Sequence, residues 1–391
     1  MMSDPSSEAP PDAHDPSRRS YWQLQAAALA DTRGRVVAMV ALDGSEQRDV
    51  VEYFADRYCY VIDEAVGLDL HGRVVNCRTS RSGTTDSVPG TSACTPAGDQ
   101  AVGRRLPTWL AKIVVLDCDS ESPALPTVEH LSLESALQAL VPMSRGLRKL
   151  QAPLRTIEAV LAATGGAVRI RYRHPSTLSS SLADFLEFEP PSRPARVRSE
   201  SAFGVVDLQA SRGDRFFRSA VLDALSLEFD KTAVLFAGTA SDELRVLDKI
   251  ESDVWRAASG SPREALEAAW NMGGSQDDRK RTGGLSEVLR GMVSGGLLSN
   301  DPAWRIGDAV AWTYSRDRVT VLNLEASSPQ PIVLEGSAII IWSIIAGNGS
   351  ILQPRLIEEC ATSVGLDASV VTGDVVRVLH ELHSRGVLVP C

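Results

Sequence analysis

Two kinds of apolar pattern alternate along the chain. Arg35-VVAMVAL-Asp43 and Lys112-IVVLDC-Asp119 are short, unbroken apolar runs, rich in β-branched residues and closed by acidic turn-formers. Runs of this length predict buried strands of a parallel-type sheet. Tyr58-CYVIDEAVGLDL-His71 reads as further strands around the acidic pair Asp63-Glu64, and Ala167-VRIRYR-His174 alternates as an edge strand does. Helical segments are expected at Tyr21 to Ala30, from Gly44-Ser45 to Arg57, at Ser132 to Val141, and at Leu150 to Thr164, where Gly165-Gly166 stops the last. This interleaving predicts an α/β domain over residues 21–188. Residues 1–20 read as a disordered tail, Thr79 to Arg105 as a mobile Ser/Thr/Gly/Pro-rich loop, and 189–212, with Pro190-PSRPA-Arg196, as a linker.

Residues 213–391 contain an internal repeat. At one constant displacement Phe217-Arg218 falls on Trp304-Arg305, Asp230-Lys231 on Asp317-Arg318, and Val234-Leu235 on Val321-Leu322. Val246-Leu247 falls on Val333-Leu334, Trp255 on Trp342 and Gly260 on Gly347. A short insertion then brings Gly296-Leu297-Leu298 onto Gly386-Val387-Leu388. In the second copy, Ile306 to Ser315 and Val319 to Leu324 predict a hairpin around Arg316-Asp317, and Pro331-IVL-Glu335 predicts a third strand. Ser337 is expected to cap a helix containing Ile340, Ile341, Ile344 and Ile345, and Gly347 to end it. Two more helices, Pro354 to Val364 and Ser369 to Arg385, and a short strand at Val387 to Val389 complete the copy. Three strands followed by three helices make a winged-helix-like α+β unit, expected twice, at 213–300 and 301–391.

Composition narrows the function. The 391 residues are 43% hydrophobic and 23% charged, an ordinary globular mix. A formal charge of -10 makes the chain a poor phosphate binder, so nucleic acid is not expected as a main partner. The last helix sets Asp374 and Glu381 against Arg377 and Arg385, without the basic face of a DNA-reading helix. No apolar run reaches the ~18 residues of a membrane span, and Met1 to Arg19 has no secretory apolar stretch. Six scattered cysteines without a CxxC predict reduced thiols and a cytoplasmic protein. His380 and His383 stand three apart without a third ligand, so no metal is expected. No Gly-x-Ser-x-Gly or HExxH motif is present.

With the repeat laid out, the stretch Pro331-IVLEGSAIII-Trp342 and the closing segment Leu382-HSRGV-Leu388 resemble the PqqD family, small winged-helix domains also called RiPP recognition elements. Repeat two matches across about 303–390 and repeat one, more loosely, across about 216–299, with Asp248-Lys249-Ile250 where the family often has Glu-Gly-Ser. The resemblance implies peptide binding without catalysis or cofactor. Such domains capture the leader segment of a ribosomally made precursor peptide and present it to modifying enzymes. The leader adds as a strand beside the third strand, against the last long helix. Carried over, the edge is Pro331, Ile332, Val333 and Leu334, and the groove wall is Val375, Arg377, Val378, Leu379 and Leu382. In repeat one the edge is Leu244, Arg245, Val246 and Leu247, facing Leu285, Val288, Leu289 and Met292. The basic residues Arg145, Arg148, Lys149 and Arg155, expected on one helix, read as a solvated face or as a dock for an acidic leader or partner enzyme.

Residues 35–175 resemble, more diffusely, a P-loop domain of the HPr kinase or PEP-carboxykinase type. The resemblance rests on Asp63-Glu64, Leu116-Asp117, Leu137-QALVPM-Ser144 and Gly165-GAVRIR-Tyr172. The phosphate loop would be Asp43-GSEQRD-Val50, where Glu46, Gln47 and Arg48 stand in place of Gly, Lys and Ser/Thr. A glutamate there repels phosphate, and Asn76-CRT-Ser80 matches the family's later catalytic stretch poorly. The resemblance therefore implies a degenerate kinase-like fold that has lost nucleotide chemistry. The alternative is an ATP-dependent peptide or protein kinase using Asp63 and Arg48.

Overall fold

The computed structural model describes residues 21–41, 44–54, 58, 60–62, 65–77, 108–119, 121–122, 125–150, 152–187, 215–237, 242–273, 284–315 and 317–390. The expected tail, loop and linker lie outside the described residues, as do Asp43, Asp63, Glu64 and the stretch 78–80.

The first block runs β1 (Trp22–Leu24), β2 (Ala27–Ala30), β3 (Arg35–Ala41), α1 (Gly44–Phe54), β4 (Tyr60–Ile62), β5 (Val66–Leu68), β6 (Val74–Cys77) and β7 (Trp109–Cys118). It continues with β8 (Thr127–His130), α2 (Leu133–Leu140), β9 (Ser144–Arg145), α3 (Pro153–Ala163), β10 (Ala167–Tyr172) and α4 (Ser179–Glu187). Repeat one follows as β11 (Arg215–Arg218), β12 (Asp223–Ser226), β13 (Thr232–Phe236), β14 (Glu243–Leu247), α5 (Lys249–Ala257), β15 (Ser259–Pro262), α6 (Arg263–Gly273), α7 (Leu285–Ser294) and β16 (Leu298–Ser299). Repeat two is β17 (Ala303–Ile306), β18 (Val310–Ser315), β19 (Arg318–Asn323), β20 (Ile332–Leu334), α8 (Ser337–Asn348), β21 (Ser350–Leu352), α9 (Gln353–Val364), α10 (Ala368–Ser384) and β22 (Leu388–Pro390). The chain is thus mixed α/β.

Its contacts divide it into two compact units that cut across the sequence boundaries. The N-terminal unit holds the described residues of Tyr21–Ala202 together with Leu222–Ser252; the C-terminal unit holds those of Phe203–Val221 and Asp253–Cys391.

In the N-terminal unit a six-stranded sheet has the order β4-β2-β3-β7-β10-β8. The central strands β3, β7 and β10 are parallel. One face packs Val37, Met39 and Leu116 under Val50, Phe54, Leu182 and Leu186 of α1 and α4. The other packs Val36, Val40 and Ile113 under α2 and α3, through Leu137, Leu154 and Ile157. Burial on both faces is why β3 and β7 read as unbroken apolar runs. Two expectations are corrected. Tyr21 to Ala30 forms strands β1 and β2 rather than a helix: the alanines of β2 lie fully buried between β3 and β4, and tertiary pairing overrides their helix preference. β10 is not an edge strand, because β8 pairs along its outer side. Inside this sheet Lys112 is only 4% exposed, and its Nζ donates to the carbonyls of Thr164 (3.2 Å) and Gly165 (2.9 Å) just past α3. Carbonyls at a helix C-terminus lack intrahelical partners and attract a cation; burial nevertheless lowers the amine's pKa. A second sheet runs β6-β5-β1-β9.

The sheet β12-β13-β14 also belongs to this unit. Its first residue, Asp223, sits at the N-terminus of α3, where its carboxylate accepts from the Leu154 amide at 2.8 Å and the Arg155 amide at 3.4 Å. The turn between β12 and β13 holds Phe229 and Asp230 at φ near +60°, and Phe229 is 84% exposed. A left-handed backbone is strained for a bulky side chain with nothing to pack on. Phe229→Gly is therefore expected to raise the stability of the full chain by about 0.5–1 kcal/mol, read as a small rise in thermal midpoint.

The two copies of the repeat share their strand orders. β15-β11-β16 corresponds to β21-β17-β22, and β12-β13-β14 to β18-β19-β20. β18 and β19 pair as the expected hairpin, with Ser315 opposite Arg318. The stretch Ile306 to Ser315 is two strands instead of one, because β17 and β18 belong to different sheets. Helix α8 begins after Gly336, which has φ 60° and ψ -129° and provides no side-chain cap; Ser337 is the first helical residue. The helix passes through Gly347 and stops at Gly349, whose φ of 73° only glycine adopts easily. Repeat one opens α5 differently: Asp248 Oδ1 accepts from the Glu251 amide at 2.8 Å while Glu251 accepts from the Asp248 amide, a reciprocal capping box.

Candidate functional site

The third strand of repeat two starts after Pro331, which has no N–H to contribute to a ladder and suits a strand's beginning or edge. β20 pairs with β19 through Leu334 opposite Val319, Val333 opposite Thr320 and Ile332 opposite Val321. Among the described residues no strand pairs along its other side. The side chains alternate: Leu334 is buried, Ile332 half-buried, and Val333 50% exposed. Leu334 and Ile332 meet α10 in one core, which also contains Trp304, Trp342, Val375, Leu379 and Leu382. An open strand edge and the last long helix thus share a single hydrophobic cluster.

The expected groove wall separates into two sets. Val375, Leu379 and Leu382 are 3%, 0% and 2% exposed, so they build the core and offer almost no surface. Val378 is half-buried against that core, and Arg377 is exposed, its guanidinium 2.6 Å from Asp374. The accessible apolar surface comes partly from residues that were not expected to contribute: Val371 of α10 and Ile339 and Ile340 of α8, all half-buried against the same core. The signal for the latter was legible, since α8 is apolar all round where a surface helix would carry a polar face. Trp312 meets Trp342 edge to face at 5.7 Å beneath the sheet.

In repeat one, Leu244, Arg245 and Val246 are half-buried and Leu247 is buried. Arg245 pairs with Glu243 and lies over the Phe236 ring. On α7, Leu289 and Met292 are buried while Leu285 and Val288 are half-buried. The strand belongs to the N-terminal unit and the helix to the C-terminal one, so the two halves of the expected groove fall in different units.

The remaining constellations resolve simply. Gly44 opens α1, and Arg48 is exposed on it; Asp63 and Glu64 lie outside the described residues. The basic residues do not share a helix: Arg145 is in β9, Arg148 and Lys149 in the 3₁₀ turn Leu147–Lys149, and Arg155 in α3. The rings of His380 and His383 pack on Trp304 at 6.4 and 5.8 Å, and His383 Nδ1 lies 3.0 Å from the Leu388 carbonyl. Among the described residues no group of His, Cys, Asp and Glu could hold a metal, and no helix is long and apolar enough to cross a membrane.

One buried charged cluster escaped the sequence reading. Asp223 is 2% exposed, with the Arg155 guanidinium 3.9 Å away. Burial outweighs the stabilising guanidinium and amides and pushes the Asp223 carboxyl up to about 6. Burial and the neighbouring Asp223 raise Glu158 in the same direction. No protein-family model, curated protein or solved structure matches this chain.

Proposed function

We propose that this chain is a non-catalytic recognition protein of ribosomal peptide modification. It captures the leader segment of a precursor peptide by β-strand addition to β20 and presents it to modifying enzymes. The observation that carries this reading is the open edge of β20, set on the core it shares with α10. An edge strand presents unpaired N–H and C=O groups to an incoming backbone, and neighbouring apolar surface takes alternate side chains. The exposed Val333 and half-buried Ile332 and Val378 supply such surface.

Proline scanning tests it. Adjacent residues of a strand direct their N–H groups to opposite sides. Of Ile332→Pro and Val333→Pro, one therefore removes a donor to β19 and the other a donor to the peptide. The variant that keeps its circular dichroism and thermal midpoint is expected to bind a fluorescein-labelled synthetic leader, from the short precursor encoded beside the gene, about tenfold more weakly, the scale of one strand hydrogen bond. Unchanged affinity in both folded variants would remove β20 as the site.

A further inference from the structure

We infer that repeat one takes no peptide: its sheet is the built-in dock for the α2–α3 face of the N-terminal unit, and each chain holds a single peptide, on repeat two. This rests on the peptide-binding reading above.

The registers of the two three-stranded sheets make the argument. In repeat two the row Thr313, Thr320, Val333 crosses β18, β19 and β20 on the face turned from the core, and Thr313 and Val333 are exposed. The corresponding row in repeat one is Leu225, Ala233, Val246. Leu225 and Ala233 are fully buried, in the same core as Leu137, Leu154 and Ile157 of α2 and α3. The next row, Asp223, Leu235, Leu244, turns the same way; Leu235 is fully buried there and Leu244 packs against that core. On the opposite face Ala224, Val234 and Leu247 are at most 2% exposed. The middle strand β13 and its β12 neighbours are therefore covered on both faces, with Leu244, Arg245 and Val246 of β14 half-buried, whereas the counterpart sheet keeps one face in water.

Polar ties fix the docked sheet. Asp223 caps α3, Lys231 Nζ lies 2.9 Å from Glu134 of α2, and Arg148 Nε lies 2.9 Å from Asp242, the residue before β14. An added strand beside β14 would send alternate side chains towards the two faces of the sheet. On one of them α2 and the turn at Leu147–Lys149 already stand. Sequence carries the same contrast: an apolar Leu-Ala-Val row where the sheet is covered, a Thr-Thr-Val row where it is bare.

Two measurements on the full chain test this. Native mass spectrometry with the synthetic leader should show one peptide per wild-type chain, and on the folded β20 proline variant that single site should need about tenfold more leader to fill. Two peptides, or one whose binding is not weakened on that variant, would overturn the inference while leaving peptide binding intact. No peptide on the wild type would overturn the reading itself, and the one-peptide claim with it. Separately, Leu225→Glu buries a charge and should lower the thermal midpoint by about 10 °C or more, whereas the register-matched Thr313→Glu should move it by less than about 2 °C. Equal tolerance of both would show that the repeat-one face is not docked.

Discussion

Trp304→Ala should destabilise repeat two by about 4 kcal/mol, the scale of truncating a fully buried aromatic. Trp304 has no exposed surface and stands in β17, the middle strand of β21-β17-β22. Its indole N–H donates to Gln353 Oε1 at 3.0 Å, and two histidine rings close over it. Alanine would leave a cavity and a carboxamide oxygen without its donor. Trp304→Phe separates the two costs, because it fills most of the cavity but cannot donate; about 1–2 kcal/mol is expected for it. Denaturant unfolding of the full chain, with calorimetry to resolve the transitions, reads both. A Trp304→Ala variant within about 1 kcal/mol of wild type would mean that this indole does not organise the core.

The second large effect is on pH dependence. Asp223 ionises at about 6 in the fold against an ordinary 3.8. A carboxyl whose pKa is raised by folding binds its proton more tightly in the native state. Its contribution to stability is therefore fully present below about pH 4 and is lost as pH rises through about 6. For a group this buried the interval is worth about 3 kcal/mol. Glu158 shifts in the same direction and steepens the descent. Asp223→Asn retains an acceptor for the α3 amides and cannot ionise. The difference in thermal midpoint between wild type and Asp223→Asn should therefore move in the variant's favour from pH 4 to pH 8. Parallel profiles would mean that the carboxyl titrates normally in the fold.

Much of the chain's order was legible, for physical reasons that differ by element. β3 and β7 announced themselves because strands covered on both faces need no polar positions. The repeat was visible because equivalent sites need equivalent side chains: Trp255 and Trp342 are both fully buried. β20 and α10 were placed correctly as elements, but helical period cannot say which apolar residues face the core and which the surface. Val375, Leu379 and Leu382 therefore joined the groove wall in the sequence reading and the core in the structure. β1 and β2 were hidden because alanine's helix preference is a weak local term against pairing with β3 and β4. Asp223 was invisible because its role depends on residues far away in sequence, the amides of Leu154 and Arg155. The docking of the repeat-one sheet was written in Leu225, Ala233 and Leu235, yet an apolar row becomes an interface only once the register is known.

Hydrogen exchange of the full chain with and without the synthetic leader tests the central claim most directly. Strand addition to β20 predicts slowed exchange of backbone amides within 332–334 on binding, and no change at 244–247. Binding that slows exchange elsewhere and leaves β20 unaltered would contradict the account.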